Sequence, residues 1–128
     1  LVLILNIGYG WLVLSLLTLG GALLGIGLPR PNAVHVLSTG AVGVMTLAIM
    51  TRASLGHTGR PRHAGPVTIL IYVLVNVGAM LRVFVPTPES PTALTHGMLG
   101  LAALGWSGAY LLFALNYGPF LVRPSLDE

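Results

Sequence analysis

The sequence contains no cysteine and no lysine, and it has only three acidic residues. Without cysteine there is no disulfide, no cysteine-bound zinc, no iron–sulfur cluster and no C-x-x-C-H attachment site for haem. Any metal ion must therefore be held by histidine, methionine, carboxylate or backbone groups. The sequence also offers no Ser–His–Asp set and no catalytic carboxylate pair, so it gives no support to hydrolytic chemistry.

Charged residues are also scarce. They make up 7% of the 128 residues, whereas soluble domains carry about a quarter. Hydrophobic residues make up 55%, and four long runs contain no charged residue: Leu1–Pro29, Pro31–Thr51, His63–Leu81 and Ser90–Val122. Each run can supply the roughly 20 apolar residues with which an α-helix crosses a bilayer, and these runs do not fit the short alternating strands of a membrane barrel. The sequence therefore predicts an all-α integral membrane protein with four transmembrane helices.

Turn and capping residues predict where these helices begin and end. We expect helices near residues 3–27, 33–55, 66–84 and 92–117. Asn32 is the expected N-cap of the second helix, and Gly56 is expected to end it. Ser90 is the expected cap of the fourth helix, with Pro91 in its first turn.

The first run raises two further expectations. Gly21 and Gly25 form a G-x-x-x-G pair, which lets a neighbouring helix approach closely. The run starts with leucine and has no basic segment before it, so it does not have the features of a signal peptide. We interpret the 128 residues as one helical domain, the C-terminal part of a longer membrane protein.

The six basic residues are all arginines, and they lie singly at the ends of the runs or in the connections. This pattern is typical of topology control and lipid headgroup contact, and not of nucleic-acid binding. Short turns between four spans predict an up-down bundle. One side then holds Arg30 and Arg82, and the other holds Arg52, Arg60, Arg62 and Arg123. The excess of arginine favours the second side as cytoplasmic.

This topology predicts that His35, Arg82 and His96 lie at the same membrane level. An ionisable residue at membrane depth is a functional-site hypothesis, because its burial costs free energy. Two neutral imidazoles could ligate haem iron, and the guanidinium could bind a propionate. The alternative is that both histidines are capping or interface residues bonded to backbone or water.

Two more histidines, His57 and His63, lie in or next to a Gly- and Arg-rich connection on the opposite side. They could bind copper or another borderline metal ion. They could equally be solvated loop residues. The connection could also bind an anion through Arg60 and Arg62, although it lacks the pattern of a P-loop.

The segment that contains most of these residues resembles a known family. The pattern H-x4-G-x4-M-T-L-x2-M-x-R-x-S-L-G-H-T-G-R-P, from His35 to Pro61, is similar to the NnrS family, and so is the exit N-Y-G-P-F-L-V-R-P from Asn116 to Pro124. The resemblance covers essentially the whole chain as the last four helices of that family. It implies a multi-pass protein of the bacterial inner membrane that contains haem and copper and is linked to denitrification and to resistance to nitric oxide and nitrosative stress.

The resemblance marks particular positions of this chain as motif residues: His35, Met45, Arg52, Gly56, His57, Thr58, Gly59, Arg60 and Pro61. Together with the topology it gives the candidate cofactor-binding residues His35, His96, Arg82 and Arg52. The candidate metal ligands are His35, His96 and His57. The expected partners are the lipid bilayer, the remaining helices of the parent protein and nitric oxide as a ligand, with no nucleic acid.

Three functions are compatible with the sequence. The first is a haem and copper membrane protein that protects against nitric oxide. The second is a non-catalytic transporter or channel module, in which Asn6, Asn76 and Asn116 would line a polar path. The third is a bis-histidine electron-transfer cytochrome. Whether the protein is an enzyme is left open.

Overall fold

A computed structural model of the protein describes residues 1–85 and 92–126, and over these residues it is all-helical with no strand. The first span is α1 (Val2–Leu23). The second span is continuous from Arg30 to His57 and consists of α2 (Arg30–His35), a π-helix (Val36–Val42) and α3 (Gly43–His57). The third and fourth spans are α4 (Pro66–Phe84) and α5 (Ala93–Val122). All four spans are long and apolar enough to cross a membrane, which confirms the predicted fold class.

The first helix ends four residues earlier than expected, at Leu23. Gly25 has a φ of 74°, a left-handed conformation that glycine adopts without steric cost. The amide of Ile26 donates to the carbonyl of Gly21 at 2.8 Å, and that of Gly25 donates to Ala22 at 3.3 Å. These two bonds form a Schellman motif. The two glycines of the predicted G-x-x-x-G pair therefore end the helix, and Gly25 makes no helix–helix contact.

The second span begins before Asn32, the predicted cap, because Pro29 is the N-cap and Arg30 and Pro31 form the first turn. Asn32 is buried, and its Nδ2 donates to the carbonyls of Val83 at 2.8 Å and Val85 at 3.4 Å. These carbonyls lie at the C-terminal end of α4, where helix carbonyls have no intrahelical donor. Asn32 thus stabilises the end of a different helix from the one it was expected to cap.

We expect Asn32→Ala to lower the free energy of unfolding by about 1–3 kcal/mol, because two buried carbonyls lose their donor. The effect should lie near the lower limit, since Asn32 Oδ1 is itself buried without a partner and is removed as well. Thermal unfolding in detergent measures the change. Ser107→Ala is the control, because that exposed hydroxyl only donates to the carbonyl four residues earlier. Equal stability of the two variants would contradict the capping role.

The second span ends at His57, beyond the predicted end at Gly56. Gly59 has a φ of 65°, and the amide of Arg60 donates to the carbonyl of Leu55 at 2.9 Å. This six-to-one bond is the defining contact of a Schellman motif. The left-handed glycine of the G-H-T-G-R-P segment is therefore its second glycine, and Gly56 is helical.

The last helix is longer than predicted at its C-terminal end. It continues past Pro119 to Val122, although proline removes one intrahelical donor. The Phe120 ring packs edge-on against Tyr117, with centroids 5.7 Å apart, and the Arg60 guanidinium lies 4.4 Å from the Phe120 centroid. These contacts stabilise the extra turn. At the other end Thr92 is the N-cap, whereas Ser90 and Pro91 lie outside the described residues.

The π-helix changes which side chains of the second span share a face. Uniform α-helical geometry would put His35, Thr39 and Thr46 on one stripe. In the structure His35 and Thr39 line one cavity, whereas Thr46 lines another, against α1. The i→i+5 bonds of a π-helix wind the chain less tightly than α-helical bonds. Thr46 is therefore rotated away from the cavity that His35 and Thr39 line, although its side chain still bonds to Tyr110 of α5.

The third and fourth spans approach most closely at glycines. A Cβ on Gly78 would lie 2.7 Å from the backbone nitrogen of Trp106 and 3.0 Å from the carbonyl oxygen of Ala102. A Cβ on Gly105 would lie 3.5 Å from the Cα of Gly78. The backbones of α4 and α5 are therefore in direct contact, as small residues at membrane helix interfaces permit.

Side-chain hydrogen bonds between spans add to this packing. The indole of Trp11 donates to Asn76 Oδ1 at 2.8 Å, which connects α1 to α4. The hydroxyls of Thr68 and Tyr117 lie 2.6 Å apart and connect α4 to α5. Trp11, Thr68 and Tyr117 are buried in the bundle, so each pair satisfies polar groups that would otherwise destabilise it.

Candidate functional site

Two of the candidate residues, His35 and Arg82, are in direct contact. Arg82 Nη2 lies 2.5 Å from His35 Nε2. A guanidinium can only donate, so Nε2 must accept, and the ring must be neutral with its proton on Nδ1. That Nδ1 is buried and has no hydrogen-bond partner among the described residues. The pair therefore leaves one ring N–H and most of the guanidinium N–H groups unused.

A cavity of about 330 Å³ lies beside this pair, between the second span, α4 and α5. His35, Thr39 and Arg82 contribute its polar groups. The remaining lining is mostly small or apolar: Gly78, Leu99, Ala102, Ala103 and Trp106. An apolar cavity with a few convergent polar groups is the usual form of a small-molecule site. The unused groups here are donors, so they suit a ligand that brings acceptors, such as a carboxylate.

Two aromatic side chains of α5 hold the second span next to this cavity. Trp106 Nε1 donates to the carbonyl of Thr39 at 3.2 Å, and the Tyr110 hydroxyl donates to the carbonyl of Gly43 at 2.9 Å. The two rings also pack on each other, with centroids 4.6 Å apart. Both acceptors lie in or next to the π-helix, where backbone bonding departs from the α-helical pattern.

His96 lies in the first turn of α5, and its side chain is exposed. It does not line the cavity beside His35. It precedes Leu99 by three residues and Ala103 by seven, so it continues the stripe of α5 that lines the cavity. The structure thus brings Arg82 to His35 and places His96 at the start of the same helix face.

Arg52 and His57, the other two candidates, lie at the opposite end of the bundle. Arg52 follows His35 by 17 positions, or roughly 25 Å at the helical rise of about 1.5 Å per residue. Both line a second cavity, of about 440 Å³, together with Arg62. The sequence-derived residues therefore separate into two sites, one at each end of the second span.

The described part of the chain has no cluster of three or more His, Cys, Asp or Glu side chains that could hold a metal ion. His57 and His63 line different cavities. The cavity at His57 offers a single imidazole beside two guanidinium groups. This cavity therefore supplies one imidazole ligand, and its two guanidinium groups oppose the binding of a further cation.

Sequence reasoning placed Thr39 on the His35 face of the second span but missed Trp106 as a lining residue. One signal was present, since a tryptophan N–H in an apolar helix needs an acceptor. Its acceptor is a backbone carbonyl in the π-helix, and no residue pattern in the sequence predicts that helix type.

A family model described as "NnrS protein" matches residues 1–125, nearly the whole chain. No curated protein and no solved structure matches it. The match covers all four spans, and it confirms the resemblance noted in the sequence. The chain belongs to the NnrS family.

Proposed function

We propose that this protein acts in the tolerance of nitric oxide and nitrosative stress, as a haem-binding protein of the bacterial inner membrane. Family membership supports the physiological setting. The observation that carries the proposed site is the contact between His35 and Arg82 at the edge of an apolar cavity. This is the one place in the described residues where a histidine contacts a second candidate side chain inside the bundle.

The side chains at this site fit a haem group. Haem iron can be ligated by an imidazole lone pair, and a propionate carboxylate pairs well with the two parallel N–H donors of a guanidinium. His35 and Arg82 supply one of each, and Gly78, Ala102 and Ala103 leave space beside them. The buried Nδ1–H of His35 has no partner among the described residues and is free to donate to an acceptor.

The contact also links the two binding roles, which are iron ligation by His35 and propionate binding by Arg82. The lone pair that iron would use now accepts from Arg82, so the imidazole becomes available only when the guanidinium turns away. Arg82 would then hold the carboxylate of a propionate, while His35 would supply the imidazole for iron. When bound, haem would supply an iron centre that can take a diatomic ligand.

His96 is the proposed second ligand, because it lies on the cavity-lining stripe of α5 at the same end of the bundle. Copper remains an implication of the family resemblance alone. The cavity at His57 offers copper one imidazole beside two guanidinium groups.

One of the three asparagines proposed for a transporter path has another role in the structure. Asn76 would have lined a polar path, but both ends of its amide are engaged, with Trp11 and with the carbonyl of Tyr72. Its role is to connect α1 and α4. A bis-histidine cytochrome would share the proposed haem site, and the two functions differ only in whether nitric oxide binds.

We expect cells that depend on this protein to recover slowly from a nitric oxide donor when it carries His35→Ala. The growth delay should match that of cells without the protein, and His63→Ala should behave as wild type, because His63 lies at the other end of the bundle. Growth curves with immunoblots for protein level make the measurement. Full protection by a normally expressed His35→Ala variant would refute the proposed site.

A further inference from the structure

The cavity at the Arg52 end of the bundle is separate from the proposed haem site and has its own chemistry. Its volume is about 440 Å³. Arg52, His57 and Arg62 contribute the polar part of its lining, and Leu5, Ile49 and Ala53 contribute an apolar wall. A cationic rim next to an apolar wall suits a ligand with an anionic head and an aliphatic body.

Arg62 lies close to the backbone of α3. A Cβ on Gly56 would lie 3.4 Å from Arg62 Nε and 3.7 Å from its Cζ. The guanidinium therefore lies against the last turn of the helix. Arg52 precedes Gly56 by four residues and so shares that helix face. The folded-back connection thus brings two arginines to one cavity.

These two charges are not balanced within the described residues. Neither Arg52 nor Arg62 has a hydrogen bond or ion pair in residues 1–85 and 92–126. Like charges that share a cavity repel each other, and a bound anion removes this repulsion. Two guanidinium forks match the oxygens of a phosphate group.

The location favours a lipid phosphate. Arg52 lies five residues before the end of a membrane-length span, at the depth where arginine reaches the headgroups. Ile49, one turn deeper, has 54% of its surface exposed, so an acyl chain can lie against it. Basic pockets between transmembrane helices are known to bind anionic headgroups.

We propose that Arg52 and Arg62 bind the phosphate of an anionic phospholipid, with Leu5 and Ile49 in contact with its acyl chain. His57 contributes a further donor at the rim. Such a lipid would hold the connection after α3 against the helix and thereby fix the end of the second span.

Native mass spectrometry of the intact protein in detergent tests this site. Phosphatidylglycerol is the anionic probe, phosphatidylcholine the zwitterionic probe, and inorganic phosphate the soluble competitor. We expect retained phosphatidylglycerol on the wild type, at least fivefold less on Arg52→Gln and on Arg62→Gln, and little retained phosphatidylcholine. Binding of inorganic phosphate without phosphatidylglycerol would overturn the lipid assignment.

Two variants control for general effects. Arg123→Gln removes one exposed positive charge from the same side but not from the cavity, and it should retain the lipid. Gly56→Ala should retain it too, because the added Cβ is at ordinary contact distance from Arg62, whereas Gly56→Leu should displace Arg62 and reduce binding. Equal loss in Arg123→Gln would reduce the effect to net charge and overturn the proposal.

Asp127 and Glu128 are the alternative to a lipid phosphate as partners of the two arginines. They follow Leu126, whose amide donates to the carbonyl of Thr58. The double variant Asp127→Asn/Glu128→Gln decides between these carboxylates and the lipid phosphate. We expect it to bind phosphatidylglycerol as wild type does. If only the double variant binds the lipid, the two carboxylates are the native partners of the arginines, and the proposal fails. Elution as one species in size-exclusion chromatography shows that each variant is folded.

Discussion

Gly78→Ala is expected to separate α4 from α5 and to destabilise the protein by about 1–3 kcal/mol or more, the usual range for an overpacked core. The added Cβ would lie 2.7 Å from the Trp106 nitrogen and 3.0 Å from the Ala102 oxygen. Both are backbone atoms of a helix, so neither can move without shifting α5. A lower midpoint of thermal unfolding in detergent is the direct readout.

The same substitution should also damage the proposed haem site, because Gly78 and Trp106 both line the cavity beside His35. Gly108→Ala is the matched control, since a Cβ there would meet nothing within 4 Å. It should leave the protein at least as stable, with a gain of up to about 1 kcal/mol, because alanine is the better helix former at an open position. A Gly78→Ala protein as stable as the control would show that α4 and α5 are not in backbone contact.

The sequence was sufficient for the fold class and for the assignment of His35 and Arg82 to the same membrane level. Charge-free runs predict membrane spans because the hydrocarbon core does not solvate charged side chains. The alternating direction of the spans then assigns each residue to one side of the membrane. The contact between the second span and α4 could not be predicted in detail. It depends on Asn32 reaching the carbonyls of Val83 and Val85 across the bundle, and local capping rules favoured a nearer role.

Helix ends and helix faces were less predictable than spans. Several glycines near a helix end can each take the left-handed position, and tertiary contacts decide which one does, as at Gly25 and Gly59. The face that carries His35 could not be extended to Thr46, because the intervening π-helix changes the angle between successive residues. Wheel arguments assume uniform geometry, so they fail across such a segment.

The largest functional effect is expected for His35→Ala, which should lose most of the bound haem. The site then lacks the imidazole that contacts Arg82 and would ligate the iron. Arg82→Met should weaken haem binding by about 10–100-fold, because the propionate loses charge-assisted hydrogen bonds worth about 1.5–3 kcal/mol. Arg82→Lys should recover part of this loss, since it keeps the charge but not the fork. Haem titration of the purified apoprotein measures all three affinities. Equal affinities in Arg82→Met and wild type would exclude the proposed role of the guanidinium.

The central claim is that His35 and Arg82 form a haem site that takes nitric oxide, and the visible absorption spectrum of the intact purified protein tests it most directly. We predict a Soret band in the wild type that shifts on addition of nitric oxide under anaerobic conditions. The band should be lost in His35→Ala, reduced in His96→Ala and retained in His63→Ala. A wild-type protein without a Soret band, or a His35→Ala protein with a full one, would contradict the claim.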